Sequence, residues 1–426
     1  MSSASTRRRV LLAFTVIAAT ASTVVGATAS NAEDNNAASA RSGRWVGTWA
    51  AAPTGAGAGS SKNGFTDETV RMIVHTSTGG EGVRIRLSTA FGDRPLTIGH
   101  ATVGLPTGVG TADVVPGSVR ELTFGGRKSV TVPKGGQVLS DPARMSVVPL
   151  SDLVVTVHFP VATGPSTWHF SARQSAFVAT GDHAADPAAA AFTSPKSAWY
   201  FLTGVDVLNW RSPGSVAVLG DSITDGLTAT FNANKRWTDA LAARVNGPRR
   251  AHSEERGRDT GVLNEGLAGN RLTHDGIEFG FNELGVNASA RLNRDVFGQT
   301  GVRTVIVELG INDVWMTGES VDNITDQLRQ LAAQAHEKGL RILVCTLSPW
   351  EGYTAFTPEK DALRLGVNAF IRGSRDIDKV LDFDALLRDP AAPTKLQARW
   401  DSGDHIHPND AGYQAMADAV PLRDLN

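Results

Sequence analysis

Polar residues that a buried core does not require follow apolar runs in the second half of the chain. Ser222 comes directly after the apolar run 215–219, and a serine hydroxyl becomes a nucleophile when a neighbouring base takes its proton. His407 is a candidate for that base, because Asp404 three residues earlier can hold the imidazole through Nδ1. These residue types and spacings predict a triad for acyl transfer. Taken alone, Ser222 is better explained as a helix N-cap, with Asp221 in the turn.

An acyl-transfer site also needs N–H donors for the oxyanion that forms on the attacked carbonyl. Gly269, in the loop 264–270, would offer a backbone N–H where a side chain would obstruct close approach. Asn312, at the end of the apolar run 302–309, would offer its amide. The alternatives are a plain glycine turn at Gly269 and an Asx turn at Asn312, with Asp313 as a helix cap.

The loop around His407 permits two other interpretations. Asp404, His405 and His407 are dense enough to bind a metal ion, but no further cluster of His, Asp or Glu accompanies them. His405 could be the base instead, although its spacing from Asp404 is wrong for a side chain that turns back within the loop. We therefore predict no metal, no cofactor and His407 as the base.

Ser222, Gly269, Asn312 and His407 in this order resemble the SGNH hydrolases, also called the GDSL esterase/lipase family, over about residues 215–420. The resemblance implies that Ser222 is the nucleophile and that Asp404 orients His407. It also implies an oxyanion hole of the Ser222 N–H, the Gly269 N–H and the Asn312 side chain, on a flavodoxin-like three-layer α/β fold. His405 departs from the glycine of many relatives, which would narrow the pocket. The chain also looks like exported actinobacterial members with an N-terminal β-sandwich, some of which resemble xylan-associated acetyl esterases.

The pattern of elements in the second half agrees with a parallel sheet. Apolar runs at 215–219, 262–264, 302–309, 341–347 and 380–383 predict strands. Between the third and fourth runs, Ile324, Leu328, Leu331 and Ala335 share one face of a helix that Ser320 can cap. Strands that alternate with helices predict a parallel sheet covered on both faces, with ligands at the carboxyl ends of its strands.

The first half has a different pattern. Short strands are predicted at 69–75, 83–88, 129–132, 153–159 and 168–170, separated by Gly, Pro and Asp, and no helical period is evident. We therefore predict an all-β, jelly-roll-like sandwich domain at 44–210, followed by the hydrolase domain at 211–426.

The N-terminus has the features of an export signal. Three arginines at 7–9, an apolar run at 10–19 and small residues up to Ala32 predict a signal peptide at 1–32. A disordered leader at 33–43 would follow it. A twin-arginine signal and an ordinary secretory signal explain this stretch equally well, and both predict a secreted protein without stable membrane insertion. The single cysteine, Cys345, excludes an intramolecular disulfide and is expected to be a buried apolar residue.

Charge and composition limit the partners. The formal net charge is −2, with 41 basic and 43 acidic side chains, which gives no electrostatic basis for binding nucleic acid. We expect a small-molecule or polysaccharide ester as substrate, with short-chain or carbohydrate-linked acyl groups, and a monomer as the default state. The alternatives are a lipase- or phospholipase-type acyl hydrolase, a polysaccharide-binding protein with an inactive hydrolase domain, and a metal-dependent hydrolase. Four aromatic residues after the third and fourth strands would either stack on a substrate or pack locally: Trp315, Trp350, Tyr353 and Phe356.

Overall fold

Antiparallel and parallel strands occupy separate stretches of this chain. The computed structural model describes residues 44–57, 59–247 and 259–425. The predicted signal peptide and leader lie outside the described residues. Strand pairing is antiparallel up to Leu208 and parallel in the main sheet that begins at Ser215. The described residues form one compact unit, so the division into domains at 44–210 and 211–426 stays a prediction.

The first stretch, which we call the β-rich region (residues 44–214), contains two antiparallel sheets and two strand pairs. The four-stranded sheet has the order β1-β14-β3-β8, and the six-stranded sheet has the order β12-β11-β2-β9-β5-β6. One short helix, α1 (Ser60–Asn63), interrupts the strands, which the sequence pattern did not indicate. The strands are β1 (Trp45–Ala50), β2 (Glu68–His75), β3 (Val83–Ser88), β4 (Leu96–Ile98), β5 (His100–Gly104), β6 (Arg120–Glu121), β7 (Val130–Val132), β8 (Gln137–Leu139), β9 (Asp152–Phe159), β10 (Trp168–His169), β11 (Ala176–Thr180), β12 (Ser194–Lys196), β13 (Trp199–Tyr200) and β14 (Leu202–Leu208).

Alternate side chains of the two large sheets share one core. In β3, Val83, Ile85 and Leu87 are fully buried in it, whereas the intervening arginines are partly exposed. In β9, Leu153 and Val155 join the same core from the opposite sheet. This period of two is what a strand with one face on a core produces. The predicted all-β character of the first half is therefore confirmed.

The second stretch, the α/β region (residues 215–425), has a five-stranded parallel sheet of order β16-β15-β17-β18-β19. In chain order this is 2-1-3-4-5, the flavodoxin-like arrangement. The predicted α/β fold class is thus confirmed. The strands are β15 (Ser215–Gly220), β16 (Gly261–Gly266), β17 (Val302–Glu308), β18 (Arg341–Cys345), β19 (Lys379–Leu381) and, in a separate hairpin, β20 (Arg388–Asp389) and β21 (Ala392–Leu396).

Both faces of the parallel sheet are buried. Ala217 and Leu219 of β15 belong to one core, whereas Val216 and Val218 belong to the other, and β17 and β18 alternate in the same way.

The helices are α2 (Ser222–Asp225), α3 (Trp237–Asn246), α4 (Ala288–Leu292), α5 (Val321–Glu337), α6 (Pro358–Gly373), α7 (Phe383–Leu387) and α8 (Asp410–Ala419), with 3₁₀ turns at Gly276–Phe279, Asn282–Leu284 and Leu422–Leu425 and π turns at Asn293–Phe297 and Asp313–Thr317.

The sequence-predicted helix corresponds to α5, and its cap is the residue expected. The Ser320 hydroxyl accepts a hydrogen bond from the Asn323 N–H, which satisfies one of the free donors of the first turn. Ile324, Leu328, Leu331 and Ala335 are buried in one core of the sheet. Among the described residues, no helix is both long enough and apolar enough to cross a bilayer.

The two regions meet along β1 and β16. The Gly47 N–H donates to the carbonyl of Thr300, and a Cβ on Gly47 would come within 2.9 Å of the Leu263 side chain. A larger residue at this position would therefore require the Leu263 side chain to move. The Arg86 guanidinium crosses the same boundary to the carbonyl of Gly298 at 2.7 Å.

Candidate active site

Ser222 is the first residue of a short helix at the carboxyl end of the central strand. The N-cap is Asp221, whose Oδ1 accepts from the Ile223 N–H at 3.0 Å. The interpretation of Ser222 as the cap itself is therefore wrong. Because Asp221 caps the helix, the Ser222 hydroxyl is available for other contacts, and its side chain is almost fully buried.

The structure brings His407 to Ser222 across 185 residues of sequence. His407 Nε2 lies 2.8 Å from Ser222 Oγ, and His407 Nδ1 lies 2.5 Å from Asp404 Oδ2. Since a carboxylate can only accept, Nδ1 carries the proton and Nε2 is left to accept from the serine hydroxyl. The three residues thus form one hydrogen-bonded chain from carboxylate to hydroxyl.

The Asp404 carboxylate is held in place by the loop that carries His407. Its Oδ1 accepts from the backbone N–H groups of His407 at 2.9 Å and Ile406 at 3.1 Å. Partial burial acts to raise the pKa of Asp404, but the hydrogen bonds from the His407 ring and from these N–H groups lower it well below its ordinary value. Asp404 is therefore ionised at neutral pH.

His405 points to a different partner. Its Nδ1 lies 2.5 Å from Asp401 Oδ2, and half of its side chain is exposed. His405 is therefore not in position to act as the base for Ser222. The described residues contain no group of three His, Cys, Asp or Glu side chains arranged to hold a metal ion, and the absence of a metal stays a prediction.

Gly269 lies in the loop after β16 with a left-handed backbone. Its φ is +74°, a conformation that favours glycine, and the Leu284 side chain lies beside it. Neither its N–H nor that of Ser222 has an acceptor within the described part of the chain. Ser222 is buried and Gly269 is partly buried, and both N–H groups are available to an added acceptor.

Asn312 connects these two loops. Its Nδ2 donates to the carbonyl of Asn270 at 3.0 Å and to Asp221 Oδ2 at 3.2 Å. The Trp315 indole N–H donates to Asn312 Oδ1 at 2.8 Å, which fixes the orientation of the amide. Both Nδ2 hydrogens thus have acceptors. To donate to an oxyanion, Asn312 must either share one of these hydrogens between two acceptors or break one of the two bonds.

Asp313, beside it, is not the helix cap that the sequence allowed. Its carboxylate instead accepts from the backbone N–H groups of Leu272 and Thr273, at 3.0 and 3.0 Å, and from the Thr273 hydroxyl. Burial raises the pKa of Asp313 although these hydrogen bonds act to lower it. Asp313 thereby joins the Asn312 loop to the residues that follow Gly269.

Part of the chain is similar to a known protein family. Residues 218–415 match the profile of the GDSL-like Lipase/Acylhydrolase family. A search of curated proteins found no match to the chain.

Several solved structures resemble the GDSL-like part of the chain. A lipolytic protein of the G-D-S-L family from Desulfitobacterium hafniense DCB-2 is 18% identical, with a TM-score of 0.37, and the match covers 50% of this chain and 99% of that one. The aryl esterase of M. smegmatis is 16% identical, with a TM-score of 0.38 and the same two coverages. The similarity to the GDSL-like family is shown by the profile match alone.

A buried carboxyl pair lies beneath Ser222 in the GDSL-like domain. Glu308, at the end of β17, accepts from the Thr224 hydroxyl at 3.0 Å and hydrogen-bonds to Asp221. Burial and the neighbouring carboxyl group raise the pKa of Glu308 well above its ordinary value, and burial also raises that of Asp221. The two side chains therefore share a proton, which removes the repulsion between two buried charges.

The sequence did not reveal the residues that hold the loops of the GDSL-like domain from within the protein. Arg291 is fully buried and donates to the carbonyls of Gly220 at 2.9 Å and Glu265 at 2.7 Å and to Asn270 Oδ1 at 3.0 Å. It thus ties together the carboxyl ends of β15 and β16. No sequence signal distinguishes this arginine, because its role depends on the tertiary contacts of a five-residue helix. Asp221, by contrast, could have been found from its place directly before Ser222.

The aromatic residues after the third and fourth strands pack locally. Trp350 is fully buried and donates to Asp361, and its ring contacts Phe356 at 5.2 Å between centroids. Trp315 is partly exposed and meets Tyr353 edge to face at 5.3 Å. Trp350 is thus excluded as a stacking surface, whereas Trp315 lies beside Asn312 and borders the site.

Proposed function

We propose that this protein is a serine ester hydrolase in which Ser222 attacks the ester carbonyl. The observation that carries the proposal is the hydrogen-bonded chain from Asp404 through His407 to Ser222 Oγ. His407 takes the serine proton as Oγ bonds to the carbonyl carbon, and Asp404 stabilises the imidazolium that results. His407 then gives the proton to the leaving alcohol, and an acyl-enzyme remains.

Water completes the reaction through the same groups. His407 deprotonates the water, which attacks the acyl carbonyl, and the proton then returns to Ser222 Oγ as the acid leaves. In both steps the oxyanion would accept from the N–H groups of Ser222 and Gly269 and from Asn312 Nδ2. Each such donor lowers the barrier by about 3–4 kcal/mol in known cases. The unpaired state of the two N–H groups supports this role.

The proposed substrate is a short-chain or carbohydrate-linked acyl ester. One feature favours the alternative of a lipase-type acyl hydrolase with a longer acyl group. Ile277 and Phe281 are more than half exposed on the segment 276–284, and Leu284 of that segment contacts Gly269. Exposed apolar side chains near a site favour an apolar part of the substrate.

The test is an ester panel from acetyl to palmitoyl, with acetylated xylan, on the wild type and on Ser222→Ala. We expect the wild type to hydrolyse acetyl esters fastest and Ser222→Ala to lose about 10⁶-fold in kcat, as serine hydrolases do without the nucleophile. Preference for palmitoyl esters would favour the lipase alternative. Wild-type activity in Ser222→Ala would overturn the proposal.

We also propose that the protein is exported. The support is the sequence alone, with three arginines, an apolar run and small residues before Ala32. Expression of the full chain in a bacterium with both export routes, followed by N-terminal sequencing of protein in the medium, tests this. A mature N-terminus near residue 33 is expected. Retention of the whole chain inside the cell would overturn it.

A further inference from the structure

A histidine of the β-rich region contacts the helix that begins with Ser222. His169, the last residue of β10, has its Nε2 3.0 Å from Oδ1 of Asp225. Its Nδ1 lies 2.9 Å from the carbonyl oxygen of Ala52. Both side chains are at least 95% buried, so water does not replace either contact.

The two contacts of His169 determine where protons lie. A carbonyl oxygen only accepts, so Nδ1 carries a proton. Nε2 faces a carboxyl oxygen, so a second proton must lie between Nε2 and Oδ1 for this contact to be a hydrogen bond. The bond forms whether this second proton lies on the ring nitrogen or on the carboxyl oxygen. In either case the pair makes a buried hydrogen bond between the two regions.

The other oxygen of Asp225 points toward the candidate oxyanion hole. Asp225 Oδ2 accepts from the Ala268 N–H at 3.3 Å, and Ala268 directly precedes Gly269. The backbone of Asp225 closes the Ser222 helix through its N–H to the Asp221 carbonyl at 2.8 Å. One carboxylate thus joins the helix that carries the nucleophile to the loop that carries the glycine N–H.

Neighbouring residues dock the same segments more generally. The Arg236 guanidinium donates to the carbonyl of Asp225 at 2.7 Å and also to that of Ala172. Arg173 Nε donates to the carbonyl of Ala229 at 2.9 Å. The cavity left between the regions here has a volume of about 30 Å³, which holds water but no ester substrate. This boundary therefore packs the two regions together and does not bind substrate.

We propose that His169 is a positioning residue for ester hydrolysis, supplied by the β-rich region. By holding Asp225, it fixes the Ala268–Gly269 backbone relative to Ser222, so that both N–H groups face one oxyanion. This inference rests on the proposed function. The β-rich region would then contribute to the reaction, because one of its side chains supports the active-site loops on the side away from the substrate.

The first experiment compares two variants that remove side-chain hydrogen bonds between the regions. His169→Phe removes the partner of Asp225, and Arg173→Met removes the bonds to the Ala229 carbonyl, which do not reach the oxyanion loop. Active sites are counted with a fluorophosphonate, and kcat and KM for p-nitrophenyl acetate are expressed per titrated site. We expect His169→Phe to lose about 10- to 100-fold in kcat, the cost of a small misplacement of catalytic groups, with KM little changed. Arg173→Met should keep the wild-type kcat.

The second experiment tests whether Asp225 transmits the effect. Asn at 225 can still accept from the Ala268 N–H and donate to a neutral His169, whereas Leu of similar size can do neither. We expect Asp225→Asn to retain most of kcat and Asp225→Leu to match the loss in His169→Phe. Combining His169→Phe with Asp225→Asn should restore part of kcat, because the unpaired buried charge is gone. The Asp225 pair decides the question even if His169→Phe does not fold.

Three results would overturn the inference: a wild-type kcat per site in His169→Phe, an equal loss in Arg173→Met, or equal kcat in Asp225→Asn and Asp225→Leu. A purely structural role would lower the titrated fraction and leave kcat per site unchanged. Ser222→Ala is assayed in the same series. If Ser222→Ala is inactive while His169→Phe has the wild-type kcat, only the positioning role of His169 fails. If Ser222→Ala is active, the proposed function itself fails.

Discussion

The β-rich region and the α/β region bury charge to very different extents. Among the described residues of the β-rich region, Asp206 is the one buried carboxylate, whereas the α/β region buries eight. Four of those eight surround Ser222 at the carboxyl ends of the strands: Asp221, Asp225, Glu308 and Asp313. Buried carboxyl groups cost free energy unless they are paired or protonated. The comparison shows two uses of burial. In the α/β region, buried carboxyl groups hold the loops around Ser222 at some expense in stability, whereas in the β-rich region burial is mostly apolar and stabilises the fold.

The largest effect in this comparison is expected from a carboxylate at the candidate site of the α/β region. Asp404→Asn keeps the shape of the side chain but cannot hold the proton on His407 Nδ1, so about 10⁴-fold in kcat should be lost. The measurement is kcat for p-nitrophenyl acetate per titrated site. Asp401→Asn, which changes the partner of His405 by the same chemistry, serves as the control and should lose far less. Equal losses would mean that loop shape, and not the proton on Nδ1, matters.

The next largest effect is expected from the apolar core of the β-rich region, and it concerns stability. Phe159 in β9 is fully buried and packs against Phe65 and Phe201. Phe159→Ala should lower the free energy of unfolding by about 3–5 kcal/mol through lost burial and the cavity left behind. Urea unfolding measures this, and kcat per titrated site should stay at the wild-type value. A large loss of kcat would contradict the view that this core contributes stability alone.

A smaller loss of activity is expected from the oxyanion donor. Asn312→Ala should lower kcat by about 100- to 1,000-fold with little change in KM, because the donor acts mainly in the transition state. Asn323→Ala, at an exposed position of α5, is the matched control. A rise in KM without loss of kcat would show instead that Asn312 binds the ground state.

The smallest effect concerns stability and pH. The pKa of Glu308 is raised above its ordinary 4.5 by burial and by Asp221, so the folded state holds a proton that the unfolded chain releases. Stability should therefore fall as pH rises from about 4.5 toward the raised pKa, by up to ~1.4 kcal/mol per pH unit. Glu308→Gln, which cannot ionise, should flatten this fall and be more stable than the wild type at pH 8. Thermal unfolding from pH 5 to 8 measures both, and parallel curves for the two proteins would refute the shared proton.

Local patterns were sufficient for the strongly periodic elements and for the order of the candidate site residues. The i, i+4, i+7 spacing on α5 and the period of two in β3 follow from helix and strand geometry, so they can be seen in the sequence. The spacing of Asp404 and His407 likewise fits a bond within one turn. The same reasoning could not distinguish Ser222 from Asp221 as the cap, because both residue types cap helices and only the fold shows which side chain turns back.

What the sequence by itself determined is thus the main strands of the parallel sheet, the α/β fold class and the candidates Ser222, Gly269, Asn312, Asp404 and His407. The tertiary structure decided which groups meet. It joined His407 to Ser222 across 185 residues and placed His169 of the β-rich region against Asp225. The physical reason is that helix and strand periods act over a few residues, whereas contacts between distant loops depend on how whole sheets pack.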